Sequence, residues 1–130
     1  MNSAPHDTRT VIDRFNEAFQ SHRPELLAGI VAEDCVLENT VPAPDGDRYI
    51  GREACLALWQ GIASDRNARF DLEEVRVLGD HALIFWRLRW GEAPSDSVRG
   101  VNVMRVARGQ LVEGRGYVKQ PRQEEAGVKR

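Results

Sequence analysis

Residues 100–118, GVNVMRVARGQLVEGRGYV, decide the fold. Up to Arg108-Gly109 the alternation puts Gly100, Asn102, Met104 and Val106 on one face and Val101, Val103 and Arg105 on the other. Beyond it, Val112, Gly114, Gly116 and Val118 alternate with Leu111, Glu113, Arg115 and Tyr117. A period of two on both sides of a glycine-containing turn is the pattern of an antiparallel hairpin. In both arms one face is uncharged and the other mixes apolar residues with Arg and Glu.

Reading backwards, the same period continues. Strands are predicted at about 68–78, 81–91, 97–108 and 110–119, turning at Gly79-Asp80, at GEAPSD (91–96) and at Arg108-Gly109. On the second of these, Ile84, Trp86, Leu88 and Trp90 oppose Phe85, Arg87 and Arg89. The uncharged face is expected to meet helices. The mixed face is too apolar for bulk water and too charged for a core, which points to a dimer interface.

The first half changes period. Asp7 or Thr8 can cap a helix reaching about Ser21, with Val11, Ile12, Phe15, Ala18 and Phe19 on one stripe. Pro24 opens a short second helix whose Leu26, Leu27, Ile30 and Val31 face inward. A strand is expected at about 35–40, then a Pro/Gly/Asp-rich loop (VPAPDGDRY). A third helix over about 52–64 carries Cys55, Leu58, Trp59 and Ile62 as its stripe. Helices first and strands later make an α+β fold. Residues 1–7 and 121–130 read as disordered ends around one domain at 8–120.

Composition narrows the function. With 130 residues, 42% hydrophobic and 29% charged, the chain has the make-up of a soluble globular domain. A net charge of −2 offers no electrostatic case for nucleic acid or an anionic membrane. No apolar run approaches the ~18 residues of a membrane span, and no secretory h-region opens the chain. Cys35 and Cys55 lack metal-ligand spacing and read as reduced, buried thiols, which places the protein in the cytoplasm. No motif for a metal is present, no cofactor is expected, and His6, His22 and His81 stand isolated at element ends.

The ordered segments AEDCVLENT, IGREACLALWQ and VNVMRVARGQLVEGRGYV resemble the nuclear transport factor 2-like superfamily, and within it the SnoaL-like domains related to ketosteroid isomerase and polyketide cyclases. The resemblance implies a cystatin-like cone: a barrel of curved antiparallel sheet wrapped over three N-terminal helices, around an apolar pocket. It also implies dimerisation through the convex sheet face. Ketosteroid isomerase-like activity would need a general-base Asp where this chain has Asn39, a protonated Asp where it has Asn102, and a Tyr where it has Phe15. An amide cannot shuttle a proton between carbons, and Phe cannot donate to an enolate oxygen. An epoxide hydrolase-like Asp-Arg-Asp set gains little from Arg87 and Arg89, which alternate outward, or from Gly116 at the last acid position.

The expected ligand-binding set is therefore Phe15, Phe19, Asn39, Leu58, Trp59, Trp86, Asn102, Met104 and Val118. Gly114 and Gly116 either enlarge the floor or bend the strand. Asn39 and Asn102 are also the candidates for catalysis, together with Glu38, which a one-residue slip would turn inward as a base. Asp34, Asp45 and Asp47 are solvated acids near the mouth. Two functions compete. In one the domain binds or acts on a small hydrophobic oxygenated metabolite, with isomerase, cyclase or dehydratase chemistry in scope. In the other it is a non-catalytic dimeric interaction domain.

Overall fold

The computed structural model describes residues 5–120, with side chains from residue 7 onward. Helix α1 (Pro5–Gln20) is followed by a 3-10 turn (Pro24–Leu27), strand β1 (Val31–Glu38), strand β2 (Arg48–Ile50) and helix α2 (Arg52–Ser64). Four long strands complete the chain: β3 (Arg69–Leu78), β4 (His81–Arg89), β5 (Ser97–Ala107) and β6 (Gln110–Val118). The sheet runs β2-β1-β6-β5-β4-β3. The tails at 1–4 and 121–130, and the side chain of His6, lie outside the described residues.

The α+β class and the run of hairpins from β3 to β6 match the alternation. Three details of the architecture differ. The sheet is open, with edges at β2 and β3, and it is mixed, because β1 pairs parallel to β6. Two α-helices are present in place of three. The segment opened by Pro24 closes i→i+3 bonds (Leu26 N–H to Arg23 O, Ala28 N–H to Glu25 O) and stops after four residues. Val31, expected on that helix, starts β1 instead, and the loop at 41–49 contains the edge strand β2. Gly51, at φ 96°, turns the chain from β2 into α2 and donates its N–H to Cys35 O at 2.7 Å.

The amphipathic stripe of α1 is buried as its spacing requires: Ile12 and Ala18 are fully covered, and Val11, Phe15 and Phe19 nearly so. α1 lies over β3, and α2 over β1. Cys35 and Cys55 are free and buried in this core, where desolvation pushes both thiols up from their ordinary value.

Two strand ends depart from simple alternation. Leu111, expected on the outer face, is fully buried in the main core, while Val112 joins Ala32 and Ala107 in a separate small cluster. The cause is a bulge: Arg105 pairs with Glu113 but Val106 pairs with Leu111, so Val112 is an extra residue and parity flips. Trp90, expected to face inward, is 51% exposed, because β4 ends at Arg89.

The inner sheet face is held by close approach. Gly100 stands opposite Trp86, and a Cβ there would lie 2.4 Å from the indole and 2.5 Å from Tyr117 O. Gly100→Ala is expected to destabilise the protein by about 1–3 kcal/mol through overpacking. Gly61→Ala in α2, where an added Cβ meets nothing within 4 Å, should stabilise it by about 0.5–1 kcal/mol. Urea denaturation measures both as midpoint shifts at constant slope.

Candidate functional site

A cavity of about 360 Å³ lies between α1, α2 and the inner sheet face, within the ~300–1,000 Å³ range of small-molecule sites. Its wall is a contiguous run of rings. Trp59 meets Phe15 edge-on at 5.1 Å, Phe15 tilts against Phe19 at 4.7 Å, Phe19 meets Phe70 at 5.6 Å, and Phe70 meets Trp86 at 5.6 Å. The tilted and T-shaped geometries are those the ring quadrupoles favour. α1 supplies Phe15 and Phe19 one turn apart, α2 supplies Trp59, and β3 and β4 supply Phe70 and Trp86. Leu37, Leu58, Ile62, Ile84 and Leu88 fill the spaces between them.

The polar lining is mostly amide. Asn102 accepts the Trp86 indole N–H at 3.2 Å, and because the indole only donates, the contact sets which end of the amide faces it. Asn39 accepts the Thr40 backbone N–H at 2.8 Å through its side-chain oxygen, while its own N–H bonds Asp47 O at 2.9 Å. Asn16, one turn from Ile12 and Phe19 on α1, is 7% exposed and borders the cavity. Its Nδ2 has no hydrogen-bond partner among the described residues.

Seven of the nine expected ligand contacts line this cavity: Phe15, Phe19, Asn39, Leu58, Trp59, Trp86 and Asn102. Met104 and Val118 do not. Met104 is 1% exposed and fills the space over Gly114 beside Trp59, so it is core. Val118 packs on the core's flank and borders a separate hollow beside Phe85 and Tyr117. Gly116 does line the cavity, although Thr40 and Asn102 occupy the space above it; Gly114 is covered.

The acids divide clearly. Leu37 is 4% exposed and in the core, so parity sends Asn39 inward and Glu38 to the other face. There Glu38 sits opposite Arg115, whose guanidinium it helps keep protonated after the larger effects of Tyr117 and Glu113. Glu38 therefore only borders the cavity. Asp34, Asp45 and Asp47 are exposed and line none of it. Arg87 and Arg89 point outward, to Glu73 and Asp71. His22 contacts Ala63 O and His81 contacts Asp80. No group of His, Cys, Asp or Glu among the described residues has the arrangement of a metal site.

Asn16 and Phe70 were missed in the sequence. Phe70 is recoverable from its parity with Leu72 at the start of β3. Asn16 carries no signal, since a polar residue beside an apolar stripe ordinarily faces water.

The matched family model is the SnoaL-like domain, over residues 12–114. This chain belongs to the SnoaL-like domain family. Among solved structures it is similar to an NTF2-like protein of unknown function from Mesorhizobium loti, at 51% identity and a TM-score of 0.84, over 92% of this chain and 97% of that one. A candidate ketosteroid isomerase from Kribbella flavida shares the fold at 20% identity and a TM-score of 0.73, over 100% of this chain and 93% of that one. A candidate polyketide cyclase from Sinorhizobium meliloti does so at 20% identity and a TM-score of 0.66, over 82% and 93%. No curated protein matches the chain.

In this SnoaL-like domain the Trp86–Asn102 bond joins wall to floor. Asn102→Leu keeps size but strands the indole N–H, so a loss of about 1–3 kcal/mol is expected. Urea denaturation followed by tryptophan fluorescence reports the loss and the changed indole environment together.

Proposed function

We propose that this SnoaL-like domain takes a small hydrophobic, oxygenated molecule into its interior cavity. The observation carrying this reading is the aromatic-walled chamber of about 360 Å³ whose polar lining is mostly amide. Asn39 and Asn102 are placed to orient a carbonyl or hydroxyl, with the rings of Phe15, Trp59 and Trp86 against its apolar body. Isomerase, cyclase and dehydratase chemistries fit the superfamily, and the neighbours include candidates for the first two. The chain keeps amides and Phe15 where the isomerase-type acid/base set would stand, so any turnover would draw on water or on a rim carboxylate. A cytoplasmic location fits the two free, buried thiols. No helix among the described residues is long and apolar enough to cross a membrane.

A screen of neutral polycyclic and terpenoid ketones by thermal shift tests the reading. Ligands are expected to raise the melting temperature, and Asn39→Ala combined with Asn102→Ala to weaken binding about tenfold, the equivalent of ~1.4 kcal/mol. Affinity and turnover unchanged in the double variant would remove the site assignment.

A second reading rests on the outer sheet face. Its acids are each held between two arginines of the same chain: Arg87 and Arg99 hold Glu73 at 3.4 and 2.9 Å, and Arg105 and Arg115 hold Glu113 at 3.2 and 3.1 Å. Between them Phe85, Val101, Val103 and Tyr117 are only half-covered, and a hollow of about 260 Å³ opens beside Phe85 and Tyr117. A second copy of the chain would cover this strip. Light scattering is expected to give a dimer, and Val101→Glu a monomer; a wild-type monomer would defeat the reading.

A further inference from the structure

Three consecutive residues, Asn39, Thr40 and Val41, line the cavity. A regular strand would offer it only every second residue, so this part of the wall is built by loop. The ladder stops one residue earlier, because Glu38 is the last of β1 in register with β2 or β6. Beyond it the segment is held by bonds it makes with itself. Asn39 N–H donates to Asp47 O at 2.9 Å, Asp47 N–H to Val41 O at 3.0 Å, and Gly46 N–H to Pro42 O at 2.7 Å. Thr40 N–H donates to Asn39 Oδ1 at 2.8 Å, so the path of the loop also fixes the Asn39 side chain.

The turn closes at Gly46, which does not itself line the cavity. Its φ is 80°, and a Cβ there would overlap the backbone oxygen of Asn39. Glycine meets two needs at once here, a left-handed backbone and the contact of backbone with backbone. Gly79 shows the first need alone: its φ is 65°, and an added Cβ would meet nothing within 4 Å. At the near end of the loop, Thr40 Cγ2 rests 2.7 Å from where a Gly116 Cβ would lie, with Asn102 Oδ1 3.2 Å from the same point. The closed turn therefore brings Thr40 up to the floor amide.

We infer that Gly46 is a positioning residue for the cavity's ligand, acting through Asn39. By letting the 40–47 turn close against Asn39 O, it sets the direction of the 39–40 peptide, and with it the amide that the Thr40 N–H holds. This rests on the reading that the cavity binds a small molecule. It adds the backbone contact that shapes the loop-built wall.

The test compares wild type, Gly46→Ala, Gly79→Ala, Asn39→Ala and the Gly46→Ala/Asn39→Ala double variant, each folded at the temperature used. Without ligand, 1H–15N spectra follow the Asn39 side-chain NH2 pair, assigned by its loss in Asn39→Ala. Gly46→Ala is expected to move this pair, and Gly79→Ala to leave it in place although both lower the melting temperature. With 1-tetralone as the probe, Gly46→Ala should weaken binding about fivefold, and Gly79→Ala should stay within about twofold of wild type. The double variant should bind no more weakly than Asn39→Ala alone. If Gly46→Ala does not fold, Pro44→Gly loosens the same turn without a clash and should broaden or shift the same pair.

An Asn39 NH2 pair unmoved by Gly46→Ala, or by Pro44→Gly in its place, overturns the inference without reference to any ligand. So does an equal loss of 1-tetralone affinity in Gly79→Ala, which would mark general destabilisation. Additive losses in the double variant would show that Gly46 does not act through Asn39, and leave the binding function standing. Failure of wild type to bind 1-tetralone or any ketone of the wider screen defeats both.

Discussion

Across the centre of the inner sheet face, three large side chains each stand opposite a glycine on one neighbouring strand. Trp86 faces Gly100, Asn102 faces Gly116 and Met104 faces Gly114. Side chains in directly opposed positions lie about 4.5–5.5 Å apart at Cβ, so two bulky partners would have to stand upright and fill the interior. The glycines let the indole, the amide and the thioether lie down over the neighbouring strand. Because Trp86 is laid over Gly100, its edge can reach Asn102 and its ring can meet Phe70. The aromatic wall, and through it the seat of α1, depends on this arrangement.

The strand half of the fold was legible because alternation is a direct record of which face is buried. It failed at Leu111 and Val112, where a bulge adds one residue and inverts parity, an event that leaves no compositional trace. The short edge strand β2 was hidden for a different reason. Its three residues are flanked by prolines, glycines and aspartates, and it exists only because β1 offers an unpaired edge. Val31 read as helical because a single β-branched residue after Leu27 and Ile30 continues an apolar stripe as well as it starts a strand.

For the site, positions on regular elements were readable and depth was not. Phe15, Trp59, Trp86 and Asn102 follow from face and parity alone. Met104 obeys the same parity but lies where α2 fills the interior, and no periodicity distinguishes a lining residue from one a layer below. Asn16 is the converse case: its sequence position predicts water, and only the seating of α1 on the sheet encloses it. That amides stand at positions 39 and 102 was plain from the chain. That Asn102 is tied to the Trp86 indole and Asn39 to the Thr40 backbone required the hydrogen bonds.

The parallel pairing of β1 with β6 also bears on how the chain acquires its structure. β3 to β6 form hairpins that can close locally, but β1, with β2 hydrogen-bonded to it and α2 packed over it, has its inner sheet neighbour in the last strand of the domain. Non-local closure of this kind comes late and slows folding. During synthesis the edge of β1 that pairs with β6 would remain open until Val118 has left the ribosome, leaving the nascent chain with an unpaired strand edge while the four long strands are made.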